Sequence, residues 1–174
     1  NTYMKPSIRV VIQSRLSSAR LPAKALLPIQ GIPSIVLCAK RAGNTGLDVC
    51  VATSKENYDD LIEEVLHRHQ ISVYRGPLDD VLGRYHLATT DLKPEDIVVR
   101  LTGDNLLPDG QFIQGLVDQL VMNKLSYLGT SSPEDGLPYG MSAEVFLVKA
   151  LRKAQQTTLS VFDKEHVTPA IKQL

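Results

Sequence analysis

No aspartate or glutamate occurs before Asp48, although the chain as a whole carries 19 acidic and 19 basic residues and a formal net charge of zero. The first 47 residues hold seven cations: Lys5, Arg9, Arg15, Arg20, Lys24, Lys40 and Arg41. The rest holds 12 basic against 19 acidic residues, so a segment of +7 is joined to one of −7. Overall neutrality argues against a bulk polyanion binder, and no nucleic-acid partner is expected. The local imbalance fits either an anionic ligand held near the N-terminus or a set of solvated basic faces. Cysteine is nearly absent. Cys38 and Cys50 lie in apolar surroundings without CxxC or Cys/His spacing, as buried thiols in a reducing compartment would. No apolar run approaches the roughly 18 residues of a membrane span. The opening NTYMKPSIRV lacks an apolar signal-peptide core, so a cytoplasmic location and no membrane partner are expected. Neither G-x-G-x-x-G nor GxxxxGK[ST] is present, which leaves dinucleotide binding without a fingerprint and excludes a P-loop.

The 174 residues, 43% of them hydrophobic and 22% charged, suit one α/β domain over residues 1–174. Residues 8–13 (IRVVIQ) are apolar and β-branched, as a buried strand requires. A helix is expected over 34–42, with Pro33 in its first turn and Gly43 past its end. Strands follow at 48–53, 71–74, 96–101, 125–129 and 143–147. Between them, Asn57 is expected to cap a helix burying Tyr58, Leu61, Ile62, Val65 and Leu66. Further helices are expected over 78–88, after an Asp109 cap, over 147–156 and over 161–171. Short strands alternating with helices make βαβ crossovers, a mainly parallel sheet and a Rossmann-like three-layer α/β/α fold. Ligands of such sheets sit outside the carboxyl ends of the strands, after Gln13, Thr53, Tyr74 and Leu101.

The loop after the first strand reads Ser14-Arg15-Leu16-Ser17-Ser18-Ala19-Arg20-Leu21-Pro22-Ala23-Lys24. Arginine grips phosphate oxygens with parallel bonds, lysine acts as a mobile point charge, and serine with backbone N–H groups completes an anion nest. A solvated basic loop has the same composition.

Arg15, Ser18, Arg20, Leu21, Pro22 and Lys24 form R-x-x-S-x-R-L-P-x-K, followed by Leu27, Gly31 and Pro33. This run resembles the signature of the cytidylyltransferases, the family of the CMP-sialic acid and CMP-Kdo synthetases. VATS (51–54), YRGPLDDVLGRYHLA (74–88), VRLTGDNLLPD (99–109) and EHVTP (165–169) bring the pattern nearest the SpsF-type branch of spore-coat polysaccharide biosynthesis. The resemblance implies a nucleotide-diphospho-sugar transferase fold. It also implies Mg²⁺-dependent transfer of CMP from CTP to a sugar, expected to be an acidic keto-sugar, with release of pyrophosphate. Position by position, it implies that Arg15, Ser18, Arg20 and Lys24 hold the triphosphate and that the backbone at Gln13 and Ser14 touches the cytosine. Arg84 would belong to the nucleotide pocket, Asp104 would bind the magnesium, and Glu144 would contact the sugar. Dimerisation is the family habit. Two departures stand out. GDNLLPDG replaces the more usual G-D-C-P-L-I-D-P, and the family's further C-terminal T-V-D-T-x-x-D segment is not in the sequence. The alternatives are a noncatalytic nucleotide-binding domain that keeps the phosphate loop, and a relative using another nucleotide.

Other candidates have ordinary structural explanations. His67 and His69 are two apart on one helix and cannot face one ligand. His86 fits a packed helix residue. Asp79 and Asp80 complement a helix dipole as well as they would a ribose hydroxyl. Glu165-His166 fits a helix start as well as an acid/base pair, and SSPEDGLPY (131–139) fits either a substrate loop or a surface connection.

Overall fold

The computed structural model describes residues 5–16, 24–103, 108–130, 142–157 and 171. Six strands form one sheet: β1 (Ile8–Gln13), β4 (Asp48–Ser54), β5 (Ser72–Gly76), β6 (Ile97–Thr102), β7 (Tyr127–Thr130) and β8 (Ala143–Leu147). Their order across the sheet is β5-β4-β1-β6-β8-β7. The first four are mutually parallel, and β8 runs antiparallel to both of its neighbours. The expected mainly parallel sheet is therefore present, with one reversed strand near its edge.

Five helices cover the two faces: α1 (Ser34–Ala42), α2 (Asp60–Arg68), α3 (Val81–Leu87), α4 (Gly110–Met122) and α5 (Val148–Gln156). Successive side chains of a strand point to opposite faces. Val10 and Ile12 of β1 accordingly join the core formed with α1, α2 and α4, while Val11 joins the core formed with α3 and α5. The chain moves from β1 outward to β4 and β5, then returns past β1 to β6. Right-handed crossovers made in opposite directions place their helices on opposite faces, which is why α3 lies across the sheet from α1 and α2. Among the described residues no helix is long and apolar enough to cross a membrane. Cys38 and Cys50 are buried free thiols, and burial pushes the Cys50 thiol up to about 12.

Three local expectations are corrected. Pro33 does not enter the first turn of α1. It ends a small hairpin, β2 (Pro28–Ile29) with β3 (Ile32–Pro33), whose two turn residues Gln30 and Gly31 both have positive φ. A two-residue loop of that kind matches the twist of the paired strands and takes the proline out of the helix. Asn57 does not cap α2 but begins a 3-10 turn (Asn57–Asp59), and Asp59 stands at the cap position. The tighter turn rotates the helix, so Ile62 and Leu66 are buried while Tyr58 and Leu61 stay 45% and 49% exposed. The helix expected over 78–88 is shorter because Asp80 caps it, accepting the Gly83 N–H at 3.0 Å. The Asp109 cap is observed, with the Phe112 N–H at 2.9 Å. Of the helix expected over 161–171 only Ile171 lies within the described residues, where it is buried against α5's side of the sheet.

The end of β1 is anchored from the neighbouring strand's turn. Asp59 is fully buried, and its carboxylate accepts the Leu16 N–H at 2.7 Å and a short hydrogen bond from the Ser54 hydroxyl. Arg75 of β5 secures the same turn, donating to Ser54 O at 2.8 Å and Glu56 O at 2.9 Å and pairing with Asp60 at 2.7 Å. At the opposite end of the sheet Arg9 donates to Asp48 at 2.8 Å and to both oxygens of Asp91 at 2.7 and 2.9 Å.

Removing the Asp59 carboxylate strands two buried donors. Asp59→Ala should lower unfolding stability by about 3 kcal/mol, measured by urea denaturation, and Asp59→Asn by less because one acceptor oxygen remains. A loss below about 1 kcal/mol for the alanine variant, the net value of one ordinary hydrogen bond, refutes the anchor. The hydrogen bond from Arg9 holds the Asp91 carboxyl below its usual value. A depressed carboxyl stabilises the fold above its unfolded pKa and loses that contribution as pH falls through the folded one. Wild type and Asp91→Asn should therefore differ by a constant amount from pH 5 to 8, and the difference should begin to shrink below about pH 4 and vanish as pH passes the lowered folded value. Urea midpoints across pH test this.

Candidate functional site

The strand order reverses between β1 and β6, and in open α/β sheets a crevice opens at such a switch point. Here the ends of the two strands are tied closely: the Gly103 N–H donates to Gln13 O at 2.8 Å, and the Ser14 N–H donates to Ala52 O at 3.1 Å. A Cβ on Gly103 would stand 2.9 Å from Ser14 Oγ, so only glycine lets β6 come this near the buried Ser14. Gln13 O and Ser14 N each make one hydrogen bond within the sheet, and Gln13 O keeps a second lone pair. The partly buried Gln13 side chain is a further group at this strand end.

Arg15 follows, exposed, and Leu16 turns back into the core under the grip of Asp59. Ser18 and Arg20 lie outside the described residues, as does Asp104. Lys24 opens a 3-10 turn (Lys24–Leu26), and its side chain also lies outside them.

Arg84 is the unusual cation of the site. It is only 2% exposed, and its guanidinium makes one long hydrogen bond, from Nη2 to Leu78 O at 3.4 Å. Nε and Nη1 are buried without any partner. Burial, and then the nearby positive charge of Arg15, lower its pKa; Tyr85 and, more weakly, Asp59 and Asp80 oppose the shift. A Cβ on Gly76 would lie 2.7 Å from Arg84 Cγ, so a glycine at the end of β5 makes room for the side chain. A buried cation without a contacting carboxylate is costly unless something anionic balances it.

On the same face of the sheet a second set of groups is paired in charge. Arg100 and Glu144 are direct cross-strand partners in the β6–β8 register. Arg100 Nη1 donates to Glu144 Oε1 at 2.9 Å, and Nη2 donates to Gln13 Oε1 at 3.0 Å. The Tyr127 hydroxyl donates to Glu144 Oε2 at 2.5 Å, so both carboxylate oxygens are engaged. Beneath Arg100 lies the ring of Tyr85, 5.8 Å from the guanidinium carbon. Burial opposes the Arg100 charge, but Tyr85 and Glu144 more than compensate and its pKa is raised. Burial pushes the Tyr85 hydroxyl up to about 12, and burial followed by the bond to Glu144 raises Tyr127.

The structure brings Gln13 into contact with the Arg100–Glu144 pair on the α3/α5 face, while Ser14 packs toward α1 on the other. Asp80 is spent on its helix cap. Glu165-His166 and the 131–139 loop lie outside the described residues. Among those that are described, no cluster of three or more His, Cys, Asp or Glu side chains could hold a metal. Four residues of the site were missed in the sequence: Asp59, Tyr85, Arg100 and Tyr127. Arg100 had a readable signal, since a charge inside a strand buried on both faces demands a counter-charge, and Glu144 sits in another such strand.

A family model described as cytidylyltransferase matches residues 9–174. The Methanocaldococcus jannaschii protein MJ1063 is 34% identical over 163 residues, 92% of this chain and 65% of that protein. The 3-deoxy-manno-octulosonate cytidylyltransferase of Dichelobacter nodosus is 40% identical over 111 residues, 60% of this chain and 43% of that one. The spore coat polysaccharide biosynthesis protein SpsF of Bacillus subtilis is 28% identical over 116 residues, 67% of this chain and 48% of its own. The chain thus spans less than two thirds of each of these relatives. A cytidylyltransferase structure from Leptospira borgpetersenii superposes with a TM-score of 0.87 at 30% identity, covering 97% of this chain and 72% of that one, which bears out the nucleotide-sugar transferase fold. With a match over almost its whole length, the chain belongs to the cytidylyltransferase family.

Proposed function

We propose that this chain transfers CMP from CTP to a sugar hydroxyl with release of pyrophosphate. The observation that carries the reading is Arg84: a buried guanidinium with two unpartnered nitrogens, lying close enough to Arg15 to feel its charge. Two cations that repel each other at the carboxyl end of parallel strands are stable together once an anion lies between or beside them. A triphosphate meets that need, and the loop supplies further positive charge at Arg20 and Lys24.

In the reaction the sugar oxygen forms a bond to the α-phosphorus as the bond to the pyrophosphate oxygen breaks, and the hydroxyl proton passes to solvent or a basic group. Such transfers depend mostly on positioning and on neutralising the phosphate oxygens. In this scheme Arg15, Arg20 and Lys24 bind the triphosphate with Ser18, Arg84 balances it from below, and Gln13 and Ser14 face the nucleoside. Asp104 follows directly in sequence on Gly103, whose N–H is tied to the end of β1. One carboxylate beside phosphate oxygens and water is a donor set that Mg²⁺ favours. The ion, when bound, supplies positive charge to the phosphates. Glu144, with both oxygens engaged, shapes the wall toward the sugar. We place the protein in the cytoplasm, where its two buried free thiols stay reduced, and propose a homodimer on the family's habit.

CTP with Mg²⁺ should raise the melting temperature more than ATP, GTP or UTP, and an equal or absent response to CTP in the folded protein refutes the reading. Asp104→Ala and Lys24→Ala should abolish pyrophosphate release with a panel of eight- and nine-carbon sugars. Arg84→Met separates site from scaffold. Removing an unbalanced buried charge should leave the ligand-free melting temperature unchanged or higher, yet shrink the CTP-induced shift. A destabilised variant with an undiminished CTP shift would mean that Arg84 serves the fold alone.

A further inference from the structure

We infer that the Gln13 side chain, held by Arg100, Glu144 and Tyr127, is the group that reads the nucleoside, and that it reads an uncharged oxygen. The inference rests on the nucleotide reading above and adds a named donor and the residues that orient it.

A glutamine amide can point either its oxygen or its nitrogen at a neighbour, but a guanidinium has only donors. The atom facing Arg100 Nη2 at 3.0 Å must therefore be the amide oxygen. That fixes the NH₂ on the other side of a partly buried side chain, and no hydrogen bond joins it to another of the described residues. Arg100 in turn cannot swing away. Glu144 holds its Nη1 across the β6–β8 pairing, the Tyr85 ring lies under it, and Tyr127 fixes the carboxylate that does the holding. Four adjacent strands, β1, β6, β8 and β7, each contribute one member of this chain of contacts, and Arg100 and Tyr127 act as positioning residues through Gln13.

The charge of the cluster decides what it reads. Arg100 is neutralised by Glu144, so the open face presents an amide donor with no net charge behind it. A phosphate or carboxylate held by this amide would gain no ion pair from Arg100 and would lie near the Glu144 carboxylate. From Leu125 to Val148, the stretch that contains β7 and β8, the sequence has no lysine, arginine or histidine to change that balance. An uncharged acceptor, a carbonyl or hydroxyl oxygen, fits. Gln13 is joined through Ser14 directly to the phosphate loop, so the oxygen belongs to the nucleoside attached to the triphosphate: a base carbonyl or a ribose hydroxyl.

Calorimetric titration with inorganic triphosphate, ribose 5-triphosphate and CTP separates these groups. Gln13→Met keeps the length of the side chain and its neutrality while removing the donor. It should weaken CTP about 10-fold, the value of one well-placed hydrogen bond, and leave inorganic triphosphate within about 2-fold, well under the value of such a bond. If ribose 5-triphosphate weakens as well, the oxygen is on the ribose; if it does not, it is on the base. The double variant Arg100→Met/Glu144→Met removes the ion pair without stranding either charge. It should also lower the ratio of CTP to triphosphate affinity, which a loss of general stability would not move. Equal effects on CTP and triphosphate, no effect on either, or a wild-type chain that binds inorganic triphosphate as tightly as CTP overturns the inference. A wild-type chain that binds none of the three overturns the nucleotide reading along with it.

Discussion

Asp59 holds the start of the loop after β1 in place with a carboxylate buried from solvent. Leaving the sheet, a chain must satisfy its backbone donors again within a residue or two, and a buried unpaired N–H is expensive. At Leu16 the donor is met not by a following helix but by a side chain from the turn after β4. Because Ser54 and Arg75 fix that turn in their own right, the loop's first residues inherit the rigidity of β4 and β5. Arg15 lies between Ser14, buried against the α1 face, and Leu16, buried under Asp59. Its direction of departure is therefore set by the sheet even though its side chain is exposed. The carboxylate that serves as an anchor is also a negative charge felt by Arg84, so one buried group shapes both the backbone and the electrostatics of the crevice.

Alternation along the strands does the remaining arrangement. Gln13 lies on the face of Val11, Arg100 on that of Val98 and Glu144 on that of Phe146, so the polar residues at the carboxyl ends continue columns that are apolar further down. A one-residue slip would send all of them to the α1 side of the sheet. The α3/α5 core, with Phe146 and Val98 in it, therefore fixes the register that brings Gln13, Arg100 and Glu144 together.

The long apolar strands and the capped helices were legible because their signals are local: β8 is found over the residues expected, and Asp109 caps α4 as its spacing implies. Asn57 misled for a physical reason. Cap propensity describes what a side chain can do with the next turn, whereas Asp59, two residues later, was claimed by donors from another part of the chain. The β2–β3 hairpin escaped because two-residue strands carry no period, and Gln30 is not a residue that advertises positive φ. The cations of the loop after β1 are visible in the sequence itself. The network through Arg100 is not, because it depends on β8 lying antiparallel beside β6, a pairing that no local pattern encodes.

Two arginines on one face of this sheet have opposite electrostatic fates, and that contrast carries the functional argument. Arg100 is matched by Glu144 and Tyr127, and its pKa rises despite burial; Arg84 is unmatched, and its pKa falls. A fold selected for stability alone would treat both the same way, by pairing them or by removing the charge. Keeping one paired gives a fixed, uncharged surface that can orient a neutral group. Keeping the other unpaired leaves positive potential concentrated where burial strengthens it. A ligand complementary to both must be polyanionic at one end and neutral but hydrogen-bonding next to it. A nucleoside triphosphate has that polarity, so under the proposed function this pair of arginines would select by the pattern of charge along the ligand, in a chain whose own net charge is zero.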